Sequence, residues 1–116
     1  MRSRSAGSER GSVTAEFATV MPAVVLVLAA CMAGVQVAAQ QVRLQDAAAD
    51  AARVAARGEG AGVAASRAAR LVPGASLSIS NDGDLLCVHL TAPAAAAGPL
   101  AALSIGATSC ALGGGR

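Results

Sequence analysis

The sequence predicts an α+β protein: a long N-terminal helix, membrane-spanning in its first half, followed by a small domain with a short helix, a β-hairpin and a candidate third strand. Three observations predict it. From Phe17 to Ala39 the run FATVMPAVVLVLAACMAGVQVAA carries no charge over 23 residues. Polar side chains then recur at three- and four-residue steps as far as Arg57, a spacing that lines them up on one helix face. Beyond Gly74, the apolar residues of ASLSIS and LLCVHLT flank NDGD, as strands flank a hairpin turn.

The apolar run comes first because it dominates the chain. At about 1.5 Å per residue its helix is roughly 34 Å long, enough to cross a hydrocarbon core of about 30 Å. A buried soluble helix of this length would need a large domain around it, and a chain of 116 residues leaves too little for one. Pro22 falls one turn inside the run, where membrane helices tolerate a missing backbone bond better than soluble helices do. Gly34, with Ala30 and Ala38 four residues to either side, makes a small-residue stripe suited to close helix packing. Ahead of the run, Arg2, Arg4 and Arg10 outnumber Glu9, so the N-terminus is expected in the cytoplasm and the C-terminal part outside.

Composition narrows the function. Hydrophobic residues make up 54% of the chain, yet Phe17 is the single aromatic. Much of the hydrophobicity is alanine, which buries little area per residue, and such material can scarcely wall a deep substrate pocket. All nine basic residues are arginine and the net charge is +2, too small and too scattered for a nucleic-acid surface. The reading is a non-enzyme without cofactor or metal, with neither a nucleic acid nor a small-molecule substrate as partner.

Glu16 abuts the apolar run, where a carboxylate persists only with a partner or by reaching the headgroup layer. Its spacing to Gly11 is informative. A cut after Gly11 would make Ser12 the first residue and Glu16 the fifth, close to a new positive α-amine. This leader, Gly11, Glu16, Phe17 and the long apolar helix, taken in order, resemble the type IV prepilin signal. The Glu16-Phe17 pair is similar to that of the Flp/Tad branch, and the whole arrangement to the small TadE-like proteins of tight-adherence pilus systems. The resemblance covers about the first half of the chain. It implies a minor pilin or pseudopilin of a Tad-type pilus, processed between Gly11 and Ser12 by a prepilin peptidase. It further implies assembly with other pilin and pilus-assembly subunits through the helix, with Glu16 and Phe17 as assembly residues. Glu16 of one subunit would meet the Ser12 α-amine of another and fix the axial stagger between them.

On this reading residues 1–11 are a leader and 12–57 one helix, membrane-spanning over about 17–39. From Val13 to Arg57 such a helix would reach roughly 65 Å. Its outer half presents Gln36, Gln40, Arg43, Asp46, Asp50, Arg53 and Arg57 on one face, and Val37, Val42, Leu44, Ala48, Ala51, Ala52 and Ala55 on the other. Two compatible readings follow: a solvated helix with pairs such as Asp50 with Arg53, worth a few tenths of a kcal/mol, or a packing spine for the C-terminal domain or other pilin helices.

Residues 58–62, GEGAG, are expected to form a hinge, and 63–112 a small exported α+β domain. VAASRAARLV, 63–72, reads as a short helix stopped by Pro73 and Gly74. APAAAAGP, 92–99, reads as a linker, and a last strand is expected around Ser104 to Leu112. The GGGR end, 113–116, is expected to be disordered.

Cys87 and Cys110 both fall in the part expected outside, where disulfides persist. A bridge between them would contribute about 3 kcal/mol, free buried thiols being the alternative. Cys31 lies inside the apolar run and reads as a small membrane-facing residue, with lipid attachment at VLAAC as the weaker reading. CVH places Cys87 and His89 on one strand face, but two ligands do not close a zinc site, and His89 reads as a surface residue. The rival to the pilin reading is a secreted or membrane-anchored binding domain behind an ordinary signal cut near Ala39, or an uncleaved single-pass anchor.

Overall fold

The computed structural model describes residues 7–95 and 98–114. The first six residues of the expected leader and the last two of the expected tail lie outside the described residues. The elements are α1 (Gly7–Ala56), α2 (Ala61–Leu71), β1 (Ser76–Asp82), β2 (Leu85–Pro93), a short 3₁₀ turn (Gly98–Ala102) and β3 (Ser104–Leu112). This is the α+β order expected, with α1 beginning at Gly7 rather than near Val13.

Alanine, the strongest helix former, is the commonest residue of α1, followed by valine. Pro22 sits inside it, and its missing N–H leaves the Ala18 carbonyl without its usual donor. Nearby, the Thr19 hydroxyl donates back to the Glu16 carbonyl at 2.8 Å. The C-terminus closes with a glycine cap. Gly58 takes φ +78° and its N–H donates to the Ala55 carbonyl at 3.0 Å, while Glu59 N–H reaches the Val54 carbonyl at 3.4 Å. That pair of bonds is the Schellman motif, which needs a left-handed residue at Gly58. The expected hinge therefore shrinks to Gly58, Glu59 and Gly60, and Ala61 already belongs to α2.

By contacts the chain falls into two units, dividing after Gly34. In the first unit, no described side chain from Gly11 to Met32 is buried. The second unit, from Val35 onward, holds the hydrophobic core, and the outer part of α1 supplies more of it than any other element. Leu44, Ala47, Ala48, Ala51, Ala52 and Val54 cluster with Ala64 and Ala68 of α2 and with Val88, Leu90 and Ala92 of β2. Alanines at these positions let helix and sheet backbones approach closely. Leu44 and Leu90 are the largest side chains fully sealed from water. Val42, expected on the packing face, is 62% exposed instead, because the buried stripe runs through Leu44, Ala48 and Ala51 and not through it.

The sheet is antiparallel in the order β1-β2-β3. Asp82 pairs with Leu85, leaving the two-residue turn Gly83-Asp84, with Gly83 at φ +61° in the first turn position, where a II′ hairpin calls for glycine. Asn81 and Asp82, expected in the turn, are thus the end of β1. On the inner face Leu77 stands opposite Leu90 and Ile79 opposite Val88, while Leu90 faces Ala107 on the third strand. Ala92 and Pro93, expected in a linker, extend β2 because Ala92 continues this inner row and is buried.

Candidate processing and assembly segment

Gly11, Ser12, Glu16 and Phe17 all lie within three turns of α1, and every one of them is exposed. Gly11 sits on helical backbone, and a Cβ added there would meet nothing within 4 Å. Glycine in a helix interior costs about 1 kcal/mol relative to alanine, and no packing at Gly11 requires it. Ser12 is four residues before Glu16, hence directly above it on the same face. Among the described residues neither ion pair involves the Glu16 carboxylate.

Downstream of Phe17 the surface is apolar on all sides: Phe17 is 62% exposed, Leu26 70% and Met32 61%, with Val20, Val24, Val25 and Val27 also open. A helix apolar all round is either buried in protein or in lipid. None of its most apolar stretch is buried, and α1 is long and apolar enough to cross a membrane. Cys31 is a free, exposed thiol in this stretch.

Cys87 and Cys110 form a disulfide, joining residues directly opposite across β2 and β3. Both project to the outer face of the sheet, away from the core. His89 follows on the same face, one pair further along. Its Nδ1 is 2.8 Å from the Thr108 hydroxyl and its Nε2 3.3 Å from the Ser80 hydroxyl. The imidazole thus ties all three strands together across an exposed surface.

Three residues missed in the sequence fasten α1 to the sheet. Gln41 Nε2 donates to the Gly106 carbonyl and Gln45 Nε2 to that of Thr108, at 2.8 and 3.2 Å. Four helical residues rise about 6.0 Å and two strand residues about 6.7 Å, so glutamines one turn apart meet alternate carbonyls along β3. Gln40 closes the adjoining loop with both ends of its amide, donating to Pro93 O and accepting from Ala95 N–H. The available signal was Q-Q-x-x-x-Q directly after the apolar run, but it reads equally as a wet helix face. Asp50 likewise finds its cation outside α1, with Arg67 of α2 at 3.8 Å rather than Arg53, while Arg57 pairs with Glu59 at 3.1 Å.

Residues 11–53 match the family model described as TadE-like protein. The match starts at Gly11 and ends three residues before α1 does, so it covers the candidate segment and the buried residues of α1 from Leu44 to Ala52. No curated protein and no solved structure matches the chain.

Proposed function

We propose, from the TadE-like character of residues 11–53, that the protein is a Tad pilus-associated, single-pass membrane protein acting as a minor pilin or pseudopilin. Its N-terminus would stay in the cytoplasm, where Arg2, Arg4 and Arg10 hold it, and the unit from Val35 onward would be exported. A prepilin peptidase cuts after Gly11. The new Ser12 α-amine then stands one helical turn from Glu16 in its own chain, and equally within reach of the Glu16 of a neighbour whose helix packs alongside. In a fibre, where helices leave lipid for one another, an unpaired Glu16 is costly and a paired one selects a single stagger. The role is structural, with no reaction, metal or cofactor assigned.

The observation that carries this reading is the start of the family match at Gly11, with Glu16 five residues beyond it and the all-round apolar helix following. The second unit adds a folded domain to that helix, which favours a capping, initiating or decorating subunit over a bulk fibre subunit.

The test is the mature N-terminus, measured by mass spectrometry on protein from cells with and without a prepilin peptidase. A start at Ser12 that depends on the enzyme is expected. A start near Gln40 would indicate an ordinary signal peptide, and an intact Met1 a plain anchor; either would overturn the processing.

A further inference from the structure

The end of the second unit at which α1 enters it is apolar at its rim. A groove of about 420 Å³ lies there, lined by Gln36, Ala39, Arg43, Leu71, Pro73 and Ala95 among others, and no carboxylate lines it. Gln36 and Ala39 belong to the uncharged run itself. Leu71 is 52% exposed at the end of α2 and Leu103 53% exposed just ahead of β3. Ala94 N–H donates to the Leu103 carbonyl at 2.8 Å, closing this loop region on itself, and the Gln40 amide ties it to the helix through Pro93 and Ala95. Among the described residues Arg43 enters no ion pair.

We infer that this rim is a lipid-contacting surface: when the apolar run lies in a bilayer, Leu71 and Leu103 enter the interfacial layer and Arg43 faces headgroup phosphates. The occupant follows from covalent continuity. The groove is built partly from residues of the apolar run, so any group packed against Gln36 and Ala39 stands at the membrane boundary. An exposed leucine, Leu71, in one groove with a cation that no carboxylate neutralises, and a second exposed leucine at the adjoining loop, match that layer, apolar below and anionic above. The opposite end of the unit offers an internal control. Leu112 is 74% exposed at the far end of β3, about 30 Å along the strand from Leu103.

The inference rests on the membrane insertion proposed above, and one experiment separates the two. The full chain, carrying Cys31→Ser and its disulfide intact, receives a single cysteine at Val27, Leu71, Leu103 or Leu112 and an environment-sensitive fluorophore. It is reconstituted in phosphatidylcholine and phosphatidylglycerol vesicles, with and without nitroxide-bearing lipid. Labels at Val27, Leu71 and Leu103 are expected to lose most of their emission to the nitroxide, and the label at Leu112 to keep its own. Quenching at Val27 but at neither Leu71 nor Leu103 would overturn the inference, leave the span standing and free the rim for a protein partner. Quenching at Leu112 equal to that at Leu103 would overturn it too, since the unit would have no preferred end. No quenching at Val27 would remove the span and the inference together. Hydrogen exchange on the unlabelled chain gives an independent reading: amides around Leu71 and Leu103 should slow on transfer from detergent to vesicles, and unchanged rates there would count against lipid contact.

Discussion

At Glu16, a carboxylate drawn to the bilayer centre would cost roughly 2.5 to 3.5 kcal/mol, and less near the interface. Its backbone carbonyl accepts from Thr19, but that bond does nothing for the side-chain charge. On the proposed processing, the Ser12 α-amine of a neighbour has the sign to pair with it. Glu16→Gln should therefore insert into membranes as the parent does, yet be recovered in sheared pili at least about tenfold less, since breaking a desolvated pair costs about 3 to 5 kcal/mol. Equal recovery would show that no such pair forms. The spacing of Gly11 to Glu16 was legible in the sequence because it is local, and the family match begins at Gly11. Gln40, Gln41 and Gln45 were not, because an amide at helical spacing looks solvated until a non-local strand register brings a carbonyl to it.

Among the elements, β3 is an edge strand whose outward carbonyls at Gly106 and Thr108 are covered by α1 side chains instead of by another strand. Each net hydrogen bond of this kind contributes about 0.5 to 1.5 kcal/mol. Replacing both Gln41 and Gln45 by alanine should lower the unfolding free energy of the detergent-solubilised chain by about 1 to 3 kcal/mol, read by denaturant titration. No change would mean that water serves those carbonyls equally well. The helices, hairpin and last strand were legible from period and from glycine punctuation. Their ends shifted where tertiary packing outweighed composition. Ala92, in an alanine-rich stretch that looks like linker, is drawn into β2 because its methyl completes the inner row beside Leu90. Gly58 alone, through its left-handed φ, sets where α1 stops.

For the whole molecule, the core is made mainly of alanine methyls, with Leu44, Val54, Val88 and Leu90 as the largest side chains wholly buried. So small an apolar content leaves the disulfide a large share of the stability. Replacing both Cys87 and Cys110 by serine should cost about 3 kcal/mol, seen as a lower thermal midpoint than the oxidised parent and matched by adding reductant to the parent. An unchanged midpoint would show that the sheet is held by packing alone. That a disulfide could join these two cysteines was legible from their expected compartment. Which alanines form the core was not, since alanine carries almost no hydrophobic contrast and only the approach of α2 and the sheet distinguishes Ala48 from Ala49.

The position of that bridge also decides how the unit carries load. Cys110 lies near the C-terminal end of β3, beyond the Gln41 and Gln45 contacts as counted from α1. A force applied at the C-terminus and resisted by α1 can peel away only Ala111, Leu112 and Gly113 before it meets a covalent bond. From there tension passes through the bridge to Cys87 and on through the turn into β1, while the β2-β3 pairs from Val88 and Ser109 onward lie inside the closed loop and out of the load path. A chain held at one end by a helix and tugged at the other would therefore keep its β2-β3 pair closed, and the load would fall on β1 and the elements before it.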